Sequence, residues 1–208
     1  MQESQFREKP DFIRLLKYKA LWVRQETLNI HKISPGTRLA SSLSPVEIFV
    51  VLYYAGILKF NPVDIHWEER DRFIISKGHG SISLYPILAD LGFFDKNKLS
   101  KVSETDSFLG DIPDTRIPGY ETINGALGHG LGVAAGIALA LKNKTHNNKT
   151  NNPEFFPKIN PVISNISGEL YSYFLYSQQS ARPQPQEYKN PNAKVFVLLG
   201  DGELFEGS

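Results

Sequence analysis

Val195-Phe196-Val197-Leu198-Leu199-Gly200-Asp201-Gly202-Glu203 is the stretch that decides the fold class. Five consecutive apolar residues predict a strand covered on both faces, the pattern of a parallel sheet. The strand runs straight into Gly-Asp-Gly, which puts a lone carboxylate at the carboxyl end of the sheet, where open α/β folds bind their ligands. Glycine on either side lets the backbone approach closely and take positive φ, and a single carboxylate suits a hard cation such as Mg²⁺ held against a phosphate. Taken alone, Gly200-Asp201-Gly202 also reads as a tight turn with a solvated Asp201. The buried strand ahead of it is the context that favours a ligand.

Outward from this stretch, Phe73-Ile74-Ile75 is the other visible strand candidate. It leads into Ser76-Lys77-Gly78-His79-Gly80, and Leu84, Ile87, Leu88 and Leu91 then recur at helical spacing, so the glycines approach a helix N-terminus. Nearer the start, Lys9-Pro10-Asp11 precedes an apolar-periodic run predicting a helix that Asp11 caps and that stops before Pro35-Gly36. Ser44-Pro45-Val46-Glu47 predicts a second helix with a capping box, mostly buried from Ile48 to Leu58 and ended by Asn61-Pro62. Residues 100–122 carry loop signals. Gly125 to Gly136 is the densest glycine segment, continued by an Ala/Leu/Ile helix over Val133–Leu141.

Length and composition bound the rest. At about 150 residues per domain, 208 residues make one domain, or one carrying an insertion. The expectation is a single partial domain over 1–208 with a loop insertion at 142–194, where Asn/Lys-rich low complexity gives way to a proline-rich stretch with one aromatic patch. With 41% hydrophobic and 22% charged residues the chain can bury a core. A net charge of +1 supplies no field for gathering nucleic acid. The absence of cysteine excludes disulfides, thiolate metal sites and a cysteine nucleophile. A polar N-terminus and no apolar run near the roughly 18 residues a bilayer needs predict a soluble, cytoplasmic protein with no membrane partner. The N-x-S/T triplets at Asn143, Asn148 and Asn165 are read as chance.

Gly128-His129-Gly130-Leu131-Gly132 offers backbone N–H groups at a helix start, a ready anion site, or alternatively close helix packing that glycine permits. Gly130 to Ala135 matches G-x-G-x-x-A, but Glu121 to Leu127 is not the apolar strand a dinucleotide fingerprint requires. His79 and His129 each lie between glycines, where an imidazole reaches a ligand unobstructed. Neither has a second His or an acid at metal-ligand spacing, which argues against zinc. No G-x-S-x-G elbow or GK[ST] loop occurs.

Four ordered segments together resemble the thiamine-diphosphate-binding half of transketolase: Ser42 to Ile48, Arg70 to His79, Gly125 to Leu131, and Leu199 to Ser208. The resemblance covers about residues 20–141 and 194–208. It implies an α/β, doubly wound domain with a parallel sheet flanked by helices, incomplete at its C-terminal end, that binds thiamine diphosphate through Mg²⁺. It implies Asp201 as metal ligand within the Gly200-Asp201-Gly202 turn, and His79 facing diphosphate and substrate as the catalytic imidazole. Gly128, His129 and Gly130 would pass close to the cofactor, mainly through backbone. Glu206 would lie at a dimer interface near the partner's cofactor. The implied reaction moves a two-carbon ketol unit from a ketose to an aldose, with sugar-type small molecules as substrates and a homo- or hetero-oligomeric assembly.

The sequence departs from the family pattern in three places. Gly36-Thr37-Arg38-Leu39-Ala40 puts Arg38 where a substrate-contacting His is usual, and Asp111-Ile112-Pro113-Asp114 puts Ile112 in place of a second. Arg38 is read either as a fork for an anionic donor or as a surface loop residue. Thirdly, family members supply a further metal ligand about 25 to 30 residues after Gly-Asp-Gly, the reach of a βαβ step, and a cofactor-activating Glu from another domain. The expectation is therefore that the chain is inactive alone and needs downstream sequence or a partner subunit. The alternative is a non-catalytic fragment or pseudo-subunit of the same fold that binds a partner protein.

Overall fold

The structure is a computed structural model that describes residues 10–123, 125–147 and 193–205. Helix α1 spans Pro10–Ile33, α2 Leu39–Leu43 and α3 Val46–Tyr54. Strand β1 (Arg72–Ile75) follows, then a 3-10 turn over Gly78–Ser83 that feeds α4 (Leu84–Asp90). A second 3-10 turn (Lys96–Lys101) and a long loop lead to α5 (His129–Asn147), strand β2 (Val195–Leu198) and a closing 3-10 turn, Gly202–Phe205. None of the described helices is long and apolar enough to cross a membrane.

The two strands pair in parallel, with Phe73 opposite Phe196 and Ile75 opposite Leu198. A parallel pair needs a crossover, and α4, the loop and α5 all lie between the strands in sequence. Period-two alternation divides β1 between two layers. Phe73 and Ile75 enter the core made by α1, α3 and α4, where the Phe73 ring meets Phe49 edge-on at 5.7 Å and Tyr53 at 6.2 Å. Ile74 and then Ser76 face the other way, and α5 begins against Ser76. Helices thus cover both faces, as a doubly wound arrangement requires.

Asp71 fastens the sheet at its entry. This buried carboxylate accepts from the backbone N–H of Lys59 (2.9 Å) and of Lys194 (2.7 Å), tying the approaches to both strands. Just before it, Arg70 forks onto Glu121 with bonds of 2.9 and 2.7 Å, holding the loop that precedes the glycine segment.

Several local expectations are corrected. The α1 helix starts at Pro10, which suits the first helical turn because its N–H is missing; Asp11 is therefore inside the helix, one residue past its start. No capping box forms at α3: Pro45 stands at the cap, Ser44 donates to the Ser41 carbonyl and accepts from Lys77, and Glu47 pairs with Arg24. The short α2 runs almost directly into α3 and leaves no free end for a box. The chain turns out of α3 at Ala55-Gly56, well before Asn61-Pro62, and Ile48 is exposed. Residues 142–147, expected to open the inserted loop, continue α5, while 148–192 lie outside the described residues. β2 ends at Leu198 and is half-buried throughout, because only β1 flanks it among the described residues.

Asp90 joins three helices. Its carboxylate takes Lys19 of α1 at 2.6 Å, Tyr54 at the end of α3 at 2.7 Å, and Lys96 at 2.8 Å. Burial opposes the charge, but the hydrogen bonds from Lys19, Lys96 and Tyr54 outweigh it and hold this carboxyl below the usual aspartate value. A depressed carboxyl adds stability above its unfolded pKa and loses it as pH falls through the folded one. Asp90→Ala is expected to cost about 2–4 kcal/mol at neutral pH, because buried Lys19 is left unpaired. In urea titrations of both proteins, the gap should narrow as the pH drops below about 4.

Candidate functional site

Three of the sequence motifs meet at the carboxyl end of the strands. Ser76 continues β1, its N–H donating to the Leu198 carbonyl of β2 at 2.9 Å. From β2 the chain passes Gly200, Asp201 and Gly202 into the closing 3-10 turn, which brings Glu203 back under the strand ends. The Glu203 carboxylate is buried. One oxygen accepts from the Ser76 hydroxyl and from the Gly128 N–H (2.8 Å), and the other from the Gly200 N–H (2.9 Å). The Gly130 N–H in turn donates to the Ser76 hydroxyl oxygen at 3.0 Å.

Burial would raise the Glu203 carboxyl. The hydrogen bonds from Ser76 and the amides of Gly200 and Gly128, together with the Lys77 charge, more than offset it and hold the group below the ordinary glutamate value.

Glycine is needed at two of these positions. Gly128 sits at φ +87°, a left-handed conformation that side-chain-bearing residues rarely adopt. Gly130 lies flat on the sheet end: an added Cβ would come within 2.7 Å of the Ser76 Cα and closer still to its Cβ. Of the two readings of the glycine segment, close packing is the one these contacts support, since the Gly128 and Gly130 amides, expected to be free for an anion, are taken by the chain itself. His129, exposed, is the first residue of α5, with the helix beginning earlier than the Ala-rich run suggested.

His79 lies in the 3-10 turn after β1 and is half-buried. Its carbonyl is 3.1 Å from the Ser42 hydroxyl, which is also 3.0 Å from the Arg38 carbonyl. Buried Ser42 therefore ties the Arg38 backbone to the His79 turn. Arg38 itself is exposed at the start of α2. The loop before it is braced by Thr37, 2.8 Å from His31 Nδ1, and by Ser34, which donates to Asp111 at 3.2 Å. Asp111 also accepts from Ser103. Arg38 and Ile112, read from the sequence as departures, thus belong to loops joined through Asp111.

Asp201 and Gly202 are exposed at the end of β2, and an added Cβ at Gly202 would meet nothing within 4 Å. Among the described residues no group of three His, Cys, Asp or Glu could hold a metal by itself. An open single carboxylate fits a divalent ion that takes most of its oxygen ligands from a diphosphate and water. Glu206 lies outside the described residues.

The thiamine diphosphate binding domain of transketolase, as a family model, matches residues 27–169, more than half of the chain. The chain belongs to that family. Among transketolase relatives, an apulose-4-phosphate transketolase subunit from Actinobacillus succinogenes is 38% identical over 195 residues, covering 93% of this chain and 54% of that protein. The 6-deoxy-6-sulfo-D-fructose transketolase subunit SqwG of a Clostridium species is 36% identical, covering 57% of this chain and 43% of that protein. The chain thus spans about half the length of these curated relatives. In fold, it is similar to the transketolase from Leishmania mexicana, with a TM-score of 0.67 and 23% identity over 92% of this chain and 24% of that one. The transketolase-type α/β fold read from the four motifs is borne out.

Sequence reasoning missed Ser42, Ser76 and Glu203 as the residues that join the motifs. A signal existed for the last: a glutamate three residues after Gly200 can reach back to its amide, as in a capping box.

Proposed function

We propose that this chain forms the thiamine-diphosphate-binding half of a cytoplasmic transketolase-type enzyme, moving a two-carbon ketol unit from a ketose donor to an aldose acceptor. The observation that carries the reading is the junction of three motifs through Glu203, with the Asp201 carboxylate left open at the end of the parallel strands. When bound, thiamine diphosphate supplies the electron sink for breaking the bond beside the ketose carbonyl.

The chain's own residues have distinct tasks. Asp201 would give one oxygen to Mg²⁺. The exposed His129 and the backbone at Gly128, Gly130, Gly200 and Gly202 would shape the wall around the diphosphate. His79 would offer an imidazole N–H donor or N acceptor to a substrate hydroxyl or a diphosphate oxygen. The backbone of its turn is held from behind by Ser42. Glu206 would act at the interface between subunits.

Two relatives are named for anionic sugars, one a 4-phosphate and one a sulfo sugar. For a donor of that kind Arg38 would be the contact, since a guanidinium matches phosphate and sulfonate oxygens in pairs. Arg38→Ala is expected to raise KM for a phosphorylated or sulfonated ketose about tenfold or more, at about 1.5–3 kcal/mol for a charged hydrogen bond, and to leave a neutral ketose nearly unchanged. Equal losses on both donors would remove Arg38 from the substrate site.

The remaining transketolase elements would come from downstream sequence or a partner subunit, in keeping with the names of the two relatives, each called a transketolase subunit. The 208-residue chain alone is expected to give no turnover with ketose and aldose. Adding the complementing half should restore thiamine-diphosphate-dependent transfer; a folded complex that binds without turning over would instead identify a pseudo-subunit.

A further inference from the structure

We propose that Glu203 is a positioning residue for the cofactor, the clamp that holds the two glycine segments in place beside the proposed diphosphate site. This rests on the proposed thiamine diphosphate site and adds to it a residue that need not touch the ligand. The grounds are geometric. One buried carboxylate holds Gly128 N–H at 2.8 Å and Gly200 N–H at 2.9 Å, two segments 72 residues apart in the chain. Through the Ser76 hydroxyl it also governs the Gly130 N–H at the first turn of α5.

Every one of these partners donates, so the clamp needs an acceptor on both oxygens. Ionised glutamate is acceptor-only, whereas glutamine presents an NH₂ on one side. That NH₂ would confront the Gly200 amide on one side or the Gly128 amide on the other, both obligate donors. Glu203→Gln therefore keeps the volume and releases one side of the clamp. Asp201 is only two residues from Glu203 in the same turn, so loosening Gly200 moves the proposed metal ligand as well.

The test uses the assembled enzyme, this chain with its complementing transketolase half, and two readouts. In Glu203→Gln the Kd for thiamine diphosphate with Mg²⁺, measured by calorimetry below the melting temperature of each protein, is expected to rise at least tenfold. Asp90→Ala, destabilised elsewhere in the core, should leave that Kd within about twofold, since sites without shared partners act independently. In cofactor-free protein, hydrogen exchange at the Gly128 or Gly200 amide should quicken at least tenfold in Glu203→Gln, while Ile74 and Ile75 in β1 keep wild-type rates. Unchanged exchange at both glycines would overturn the positioning role, as would an unchanged Kd in a wild-type enzyme that does bind the cofactor. If the wild type binds no thiamine diphosphate, the functional reading fails and the exchange rates still decide whether Glu203 is the clamp. Should Glu203→Gln fail to fold, Ser76→Ala removes the Ser76 bond to Glu203 and frees the Gly130 amide while leaving the Gly128 and Gly200 bonds in place, and is expected to raise Kd about threefold or more, with an unchanged Kd overturning the proposal.

Discussion

Asp201→Ala is expected to weaken Mg²⁺-dependent thiamine diphosphate binding by about a hundredfold or more in the assembled enzyme, with almost no change in melting temperature. Losing even an outer-shell partner of a metal ligand costs about 10–100-fold, so loss of the proposed ligand itself belongs at or beyond the upper end. A hundredfold corresponds to about 2.8 kcal/mol of binding free energy. The fold should not feel the change: Asp201 is exposed after the end of β2, in contrast to the buried Glu203 two residues on. Surface changes away from caps and networks usually stay within about 0.5 kcal/mol. The diagnostic result is this split between affinity and stability. A large drop in melting temperature would mean that Asp201 holds the turn and does not serve the metal.

The second large effect is expected at Gly130. An alanine methyl there would overlap Ser76 at both its Cα and its Cβ, and Ser76 cannot withdraw because its N–H is bonded to the Leu198 carbonyl. The start of α5 must lift off the sheet instead, breaking the bond from Gly130 to Ser76. Overpacking of this kind costs about 1–3 kcal/mol. It also moves the Gly128 end of the clamp, so cofactor affinity should fall at least tenfold alongside stability. Gly132→Ala is the control two residues along the same helix, where an added Cβ meets nothing within 4 Å. It should be neutral or stabilising by up to about 1 kcal/mol, the helix preference for alanine over glycine. Thermal melts and calorimetry on the pair would separate contact from propensity, and equal behaviour of the two variants would contradict the packing described for Gly130.

Much of this was legible in the sequence because it depends on local periodicity. The apolar run at Val195 and the β-rich triplet at Phe73 both became strands, and they pair in the parallel sense that an apolar run implies. The motifs read as ligand-facing turns at the strand ends do meet there, although no periodicity could say how. Their junction depends on Ser76 and Glu203, which are distant in sequence and chemically ordinary, so only the fold brings them together. The capping box at Ser44 failed for the complementary reason: the right residues at the right spacing were drawn to tertiary partners, Lys77 for the serine and Arg24 for the glutamate. Likewise the Gly128 and Gly130 amides, read as anion donors from glycine content, face acceptors that the chain itself provides. Whether Arg38 contacts substrate was open in the sequence, because an exposed loop arginine looks the same in either role. Its backbone link to His79 through Ser42 adds a reason to place it near the reacting end.

The central claim is that this domain holds thiamine diphosphate through a divalent ion. Titrating the assembled wild-type enzyme with the coenzyme, once in millimolar Mg²⁺ and once with the metal chelated, tests it most directly. One saturable site per copy of this chain in Mg²⁺, weakened at least tenfold on chelation, is the expected result. Equal affinity in both buffers, or no binding by a folded assembly in either, would contradict it.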